Sequence, residues 1–150
     1  MSKFAGEYSA RIDDKGRVVL PYQLKAMIPA GTDLSFIVKK DIFSKSLEMY
    51  TQDEWARLSE KVMSQLNMLL KRDKELWKQF TRSRALVSLD EKLGRMTIPK
   101  ALLEQIGVDR EVLFVGNDDF ISVWLKEEYD KQQISENEYE ELTNEVLKQK

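Results

Sequence analysis

Residues 12 to 24 read IDDKGRVVLPYQL, and residues 89 to 102 read LDEKLGRMTIPKAL. The two stretches align along their whole length, with Leu93 as a single extra residue in the second. Further along, residues 47 to 55 (LEMYTQDEW) are similar to residues 121 to 129 (ISVWLKEEY). Such self-similarity indicates a repeated structural unit. The sequence therefore predicts two tandem repeats of about fifty residues each.

Each repeat has the pattern of a hairpin, a short helix and two further strands. Alternating apolar residues lead into a polar turn that contains a glycine, and a short apolar run follows the turn. Pro21 and Pro99 come next, and we expect them at the first helical position, where a missing N–H is tolerated. Residues 34 to 38 and 111 to 115 then predict a third strand, with a fourth strand after it.

Helical segments are expected between the repeats and at the end of the chain. Thr51 and Glu54 have the spacing of a capping box, and so have Ser135 and Glu138. Apolar residues recur at helical spacing after each of them. We predict a first module at residues 1–56, connecting helices at 57–82, a second module at 83–130 and an acidic C-terminal helix at 131–150.

The composition excludes most familiar kinds of active site. The 150 residues include no cysteine and no histidine, which rules out disulfides, thiolate and imidazole metal sites, and Ser-His-Asp triads. No phosphate loop, dinucleotide fingerprint or EF-hand pattern occurs. A carboxylate or metal enzyme would have to use Asp118 and Asp119, or Asp90 and Glu91, and neighbouring acids in turns mostly cap the backbone. We expect no catalytic residues, no metal and no cofactor.

The net charge does not by itself indicate a nucleic-acid partner. The chain has 24 basic and 26 acidic residues, a net charge of −2. Residues 127 to 150 hold eight acidic and three basic residues, a net charge of −5, so the preceding residues carry +3. The sequence has no apolar run long enough to span a membrane and no pattern typical of a secretion signal. We therefore expect a cytoplasmic protein without a membrane partner.

The repeated turn is the feature that suggests a function. It places a lysine and an arginine on a tight turn, with a glycine for positive φ and an aspartate to brace it. An arginine fork matches phosphate groups and guanine edges, and a lysine adds a point charge. The predicted DNA-contacting residues are Arg11, Lys15, Arg17, Arg84, Lys92 and Arg95. The predicted turn-bracing residues are Asp13, Gly16, Asp90 and Gly94.

The second turn departs from the first because of its extra residue. Asp90 stands five residues before Arg95, whereas Glu91 keeps the four-residue spacing found in the first turn. Either Glu91 takes the bracing role, or Leu93 bulges out of a longer turn and Asp90 keeps that role. We favour Asp90, since residues 89 to 92 then match residues 12 to 15.

The chain resembles the MraZ family. The resemblance rests on the two Asp-containing Gly-Arg turns, the apolar run and proline after each, Glu54-Trp55 after the first repeat, and the tandem layout. MraZ proteins are bacterial regulators with two AbrB-like modules. The resemblance implies a mixed α+β fold, mostly β, in which the two repeats build a swapped-hairpin β-barrel. It also implies a ring-shaped homo-oligomer whose D-x-x-x-R turns bind double-stranded DNA.

For this chain the resemblance implies a nucleoid-associated transcriptional regulator that binds repeated promoter boxes ahead of cell-division and cell-wall genes. The first motif falls on Asp13, Lys15, Gly16 and Arg17. The alternative is a protein-interaction module, either an antitoxin-like partner or a ring scaffold whose acidic helix docks on a basic protein. Many subunits engaging spaced boxes would offset the low net charge of one chain.

Overall fold

The computed structural model describes residues 3 to 148. Residues 149 and 150, the end of the predicted acidic helix, and residues 1 and 2 of the predicted first module lie outside the described part. The described chain forms, in order, β1 (Glu7–Arg11), β2 (Arg17–Val19), α1 (Tyr22–Lys25), β3 (Ser35–Lys40), β4 (Ser46–Thr51), α2 (Gln52–Met63), α3 (Lys71–Thr81), β5 (Ala85–Ser88), β6 (Arg95–Thr97), α4 (Lys100–Gln105), β7 (Glu111–Gly116), β8 (Ile121–Trp124), α5 (Lys126–Asp130) and α6 (Glu136–Leu147).

The two repeats have the predicted element order of two strands, a short helix and two more strands. The first repeat runs from β1 to β4, and the second runs from β5 to β8. Pro21 and Pro99 lie one residue earlier than predicted, at the N-caps of α1 and α4. Their ψ angles of 135° and 134° are extended, so each proline is the last extended residue after β2 or β6, and the helix begins at the next residue.

The repeats exchange their first strands. β1 of the first repeat pairs with β7 of the second, and β5 of the second pairs with β3 of the first, both antiparallel. The six-stranded sheet has the order β1-β7-β8-β4-β3-β5, and β2 and β6 form a separate two-stranded ribbon. This is the swapped, barrel-like α+β arrangement that the sequence resemblance implied. Neither repeat completes its own sheet.

One hydrophobic core is shared by both repeats. Ile12 and Leu20 flank the first turn and its strand, and Leu89 and Ile98 flank the second; all four are at most 6% exposed and belong to the same cluster. Phe4 joins this cluster with no exposure, and its backbone pairs with Asp118. The turns between these buried residues are therefore held on both sides by the core.

The connecting helices pack through aromatic residues. α2 begins at the predicted cap, where the Thr51 hydroxyl accepts a hydrogen bond from the Glu54 N–H at 3.3 Å. Trp55 of α2 stacks on Phe80 of α3, with ring centroids 5.4 Å apart. The buried Lys39 ammonium lies 4.8 Å from the Phe80 ring centroid and 3.5 Å from Glu48. These contacts fasten α3 to the β3–β4 side of the sheet.

The C-terminal helix begins at the predicted cap and spans Glu136–Leu147, whereas residues 131 to 135, predicted to belong to it, are not helical. Ser135 caps α6, and Glu138 completes the reciprocal hydrogen bond of a capping box. Nearly every described side chain of α6 is exposed, and none is buried. Between residues 3 and 148 no helix combines the length and the apolar character that crossing a lipid bilayer requires.

Candidate nucleic-acid interface

The two repeated turns meet on one exposed ribbon. β2 and β6 pair antiparallel, with Arg17 opposite Thr97 and Val19 opposite Arg95. These residues are exposed, whereas Val18 and Met96 between them are buried. Because successive side chains of a strand point to opposite faces, Arg17 and Arg95 share the outer face of the ribbon. Such diagonal neighbours lie about 7 to 8 Å apart.

Asp13 braces the first turn and its arginine together. One carboxylate oxygen accepts hydrogen bonds from the backbone N–H groups of Lys15 (2.9 Å) and Arg17 (2.8 Å). The other accepts from Nε of Arg17 at 2.6 Å. This geometry holds the guanidinium by one edge, and its side chain remains 52% exposed.

The same contacts keep Asp13 ionised. Its pKa falls from 3.8 to about 2, first because the Arg17 backbone N–H donates to the carboxylate and then because the Arg17 side chain does. Hydrogen bonds to the charged form of a carboxyl favour that form. The carboxylate is therefore ionised near neutral pH, where it can accept these hydrogen bonds.

Each turn rests on a strand of the other repeat through its glycine. The carbonyl of Gly16 accepts from the Ile98 N–H at 2.8 Å, and the carbonyl of Gly94 accepts from the Leu20 N–H at 2.8 Å. Both glycines have positive φ, 83° and 70°. A Cβ at position 16 would collide with the carbonyl oxygen of Ile98. Only glycine satisfies both the backbone angle and this close approach.

Asp90, rather than Glu91, occupies the bracing position of the second turn. Its N–H donates to the Arg95 carbonyl at 2.8 Å, its carbonyl accepts from the Gly94 N–H at 2.8 Å, and its side chain accepts from the Lys92 N–H at 3.2 Å. The first two bonds span one residue more than their counterparts at Asp13, because the turn accommodates Leu93. The Leu93 side chain is 57% exposed.

The second turn does not restrain its arginine in the same way. Among residues 3 to 148, the structure records an ion pair between Arg17 and Asp13 but none between Arg95 and an acidic residue. The longer turn thus keeps the hydrogen bond from the lysine N–H to the aspartate carboxylate, and in the described residues it has no counterpart of the bonds from the Arg17 N–H and Nε–H. The two turns present chemically similar but geometrically different arginines.

Most of the predicted contact residues lie at this ribbon. Arg11, Arg17 and Arg95 line one shallow concavity of about 360 Å³ together with Asp13. Lys15 and Lys92 are exposed within the two turns.

Arg84 lies elsewhere. Its guanidinium is 5.6 Å from the Trp55 ring centroid, beside the connecting helices. The repeat position that corresponds to Arg11 is Ser88, four residues further along β5 and thus roughly 13 Å away. A role for Arg84 in DNA contact stays a prediction.

Lys25 is a positioning residue that the sequence did not indicate. Its ammonium group donates to the Glu91 carbonyl at 2.6 Å, and its side chain lies beside Gly94. The first repeat therefore holds the second turn with a cation. The sequence aligns Lys25 with Leu103, so no repeated signal marks it, and the contact depends on the exchange of strands.

The arrangement is suited to contact a polyanion by position rather than by net charge. The two turns with Arg11 contain five basic residues and four acidic ones. Two of those acids, Asp13 and Asp90, accept hydrogen bonds from the turns themselves. The cations stand on the outer surface of a two-stranded ribbon, which is narrow enough to enter a major groove about 12 Å wide.

Comparison with known proteins places the chain in a family. The profile of the family described as "MraZ protein, putative antitoxin-like" matches residues 3–74 and 84–149. A protein of Bacteroides fragilis named transcriptional regulator MraZ is 28% identical over 149 residues, which cover 99% of this chain and 94% of the relative. Proteins with that name from Phocaeicola vulgatus and Cytophaga hutchinsonii are each 30% identical, over 97% and 98% of this chain and 94% and 96% of theirs. Transcriptional regulators are not a class of enzyme.

Proposed function

The chain belongs to the MraZ family, and we propose that it is a sequence-specific, DNA-binding transcriptional regulator. The observation that carries the proposal is the outer face of the β2–β6 ribbon, where Arg17 and Arg95 stand together on two turns that the core holds fixed. The names of the curated relatives support the same function.

Arg17 is the side chain best prepared for base or phosphate contact. Asp13 accepts a hydrogen bond from the Nε–H of Arg17, so the outer edge of the guanidinium is left for a ligand. An arginine that is already oriented loses less conformational entropy when it forms two parallel hydrogen bonds to guanine or phosphate. Lys15 and Lys92 would contact the DNA backbone, which positions the ribbon without reading sequence.

A single chain offers too few contacts for tight binding at physiological salt. Two turns would neutralise roughly 2 to 6 phosphates, and affinity rises with the number of phosphates contacted. We propose that the chain assembles into a ring and that several ribbons engage repeated promoter boxes together, so that avidity replaces net charge. Following the family resemblance, we place these boxes ahead of cell-division and cell-wall genes and the protein at the nucleoid.

The test is a gel shift with the DNA upstream of the chain's own gene. The Arg17→Ala, Arg95→Ala double variant should lose about tenfold to hundredfold in affinity for each arginine. Lys126→Ala with Lys131→Ala is the matched control, because it removes the same charge from exposed positions on and just after α5. Equal losses of DNA affinity in the two double variants would mean that the ribbon contributes only its positive charge and no specific contact.

A second measurement separates DNA binding from the protein-interaction alternative. Wild-type affinity should fall steeply between about 50 and 200 mM salt, as counterions are released from the contacted phosphates. Under the alternative, an acidic α6 would retain a basic protein partner in the Arg17→Ala, Arg95→Ala variant. Affinity for the promoter that hardly changes with salt contradicts the proposed function.

A further inference from the structure

The helix α6 has an exposed apolar face, and a helix of 12 residues is only marginally stable without packing of such a face. Its apolar side chains Tyr139, Leu142, Val146 and Leu147 are 67%, 50%, 56% and 65% exposed. Isolated helices shorter than about 12 to 15 residues are marginal in water, and most helical stability in proteins comes from packing an apolar face. The capping box at Ser135 helps to start the helix, but it does not cover this face.

Three of the four apolar residues form one stripe with acids on its sides. Tyr139, Leu142 and Val146 recur at spacings of three and four, so they share one face of α6. The helix contains five glutamates and no basic residue: Glu136, Glu138, Glu140, Glu141 and Glu145. A surface that receives this stripe should therefore be apolar in its centre and basic at its margin.

Such a surface exists beside α3. A cleft of about 450 Å³ lies between α3 and the β3–β4 turn. Its apolar residues are Ile42, Leu76 and Phe80, and its charged residues are Lys40, Asp41 and Arg82, two basic and one acidic. Ile42 is 59% exposed, Leu76 is 49% exposed, and Phe43 in the same β3–β4 turn is 92% exposed. Residues 3 to 148 thus leave Ile42, Phe43 and Leu76 largely exposed at the rim of the cleft, whose floor includes the buried Phe80.

The charge around this cleft is opposite to that of α6. Residues 71 to 84 hold six basic and two acidic residues, a net charge of +4. In the part of the chain that the structure describes, no ion pair is recorded for Lys71, Lys74, Lys78 or Arg82. The cations of this segment are thus available to the glutamates of a docking helix.

We propose that α6 of one chain docks in the α3 cleft of a second chain. Every copy carries both surfaces, and residues 3 to 148 leave the α6 stripe and the rim of the cleft exposed. The contact is head-to-tail, and repeated contacts of this kind close into a ring when the rotation between subunits allows it. The proposal rests on the assembly contained in the proposed function and names the surfaces that form it.

The test uses one defect on each side of the contact. Leu142→Asp places a charge in the α6 stripe, and Leu76→Asp places one in the cleft. Each variant alone should sediment as a monomer at micromolar concentration, where the wild type is an oligomer. Asn144→Asp is the matched control, because it adds the same charge to α6 on the opposite face and should keep the wild-type mass.

Mixing the two variants decides between a head-to-tail contact and other arrangements. The intact α6 of the Leu76→Asp chain can dock in the intact cleft of the Leu142→Asp chain. The two surfaces left over, the cleft of the first chain and α6 of the second, both carry a substitution and cannot bind a further chain. The mixture should therefore stop at a heterodimer, which also shows that both variants are folded. A wild-type monomer, an oligomer formed by either variant alone, or a mixture without heterodimer would overturn the inference.

The outcomes separate this inference from the proposed function. Assembly is read by mass, whereas DNA binding is read by gel shift with the wild type. In one outcome the wild type shifts promoter DNA, but the Leu142→Asp variant has the same oligomeric mass as the wild type. This outcome supports the proposed regulator function and excludes the α6 contact. The expected heterodimer, together with a wild type that binds no DNA, would remove the regulator assignment and keep the contact.

Discussion

The protonation of Asp13 decides whether the first turn is braced. Its pKa of about 2 lies below its ordinary value of 3.8, so the stability that the brace contributes is present above 3.8 and is lost as pH falls through 2. We expect its carboxyl carbon to titrate in NMR with a midpoint near 2. In Arg17→Ala the midpoint should rise but stay below 3.8, because the backbone N–H groups still donate. A rise to 3.8 would mean that the turn itself depends on the guanidinium.

Two glycines with nearly the same φ allow the close approach at the first turn to be measured. Gly16 and Gly31 have φ of 83° and 80°, but a Cβ at position 31 meets nothing within 4 Å. Gly31→Ala should lose about 1 to 2 kcal/mol from the backbone angle alone. Gly16→Ala should lose a further 1 to 3 kcal/mol, roughly as overpacking does, because of the Ile98 carbonyl. Urea unfolding of both variants tests this, and equal losses would contradict it.

At the residue scale, the sequence was informative where an interaction is local. The spacing of Asp13 and Arg17 predicted a braced turn because both residues belong to one turn. Lys25 could not be predicted, since its partner Glu91 is 66 residues away. The placement of Arg84 beside Trp55 also depends on packing between elements. Local hydrogen bonding can be inferred from spacing, whereas contacts across the fold need the topology.

The extra residue Leu93 in the second turn can be deleted to test how turn length controls the side-chain brace of the arginine. Deleting Leu93 gives the second turn the length of the first, with an aspartate four residues before the arginine. We expect the Nε–H of Arg95 to form a hydrogen bond to Asp90 in this variant, with the proton protected from solvent exchange as that of Arg17 is in the wild type. Heteronuclear NMR of the arginine side chains measures this protection.

The reverse change is the control for the deletion. A leucine inserted between Lys15 and Gly16 should lengthen the first turn and release the Nε–H of Arg17, while the Lys15 N–H still donates to Asp13, as the Lys92 N–H does to Asp90 in the longer second turn. Protection of Arg95 that does not increase in the deletion variant would show that turn length is not what separates the two arginines. The wild-type spectrum provides both references, because it contains the hydrogen-bonded Nε–H of Arg17 and the Nε–H of Arg95 from the longer turn.

Most elements were predictable because their signals are local. Alternating apolar residues predicted the strands, and the spacing of Ser135 and Glu138 predicted the capping box that begins α6. The sequence predicts Pro21 and Pro99 at the first helical residue, one position too late, because a proline at the N-cap and a proline at the first helical position give the same sequence pattern. Exposure of α6 could not be predicted, since an apolar stripe indicates that a face will be covered but not by what.

At the scale of the whole molecule, pairing between the repeats was not derivable from residue patterns. Alternation identifies a strand and its buried face, but it does not name the neighbouring strand. Of the six strand pairings in residues 3 to 148, four join the first repeat to the second. The exchange was implied by the family resemblance alone. It also explains why the two turns lie on one ribbon.

This interleaving predicts how the chain responds to being cut. A break between Leu66 and Asn67, in the loop that joins α2 to α3, separates the repeats without touching a strand. Of the six strand pairings in the described residues, each fragment then retains one, β3–β4 or β7–β8, and it exposes apolar side chains of the shared core. We expect neither fragment to unfold cooperatively as a monomer. An equimolar mixture should form a one-to-one complex with a cooperative thermal transition, read by circular dichroism and by mass.

The contacts between the turns make this complementation specific. Gly16 lies in the first fragment and Ile98 in the second, and their backbones are joined by a hydrogen bond of 2.8 Å. Gly16→Ala in the first fragment should therefore weaken the complex, whereas Gly31→Ala should weaken it much less. Fragments that fold separately as monomers and do not associate would mean that the repeats are independent domains. The shared ribbon would then have no structural basis, because its two strands come from different fragments.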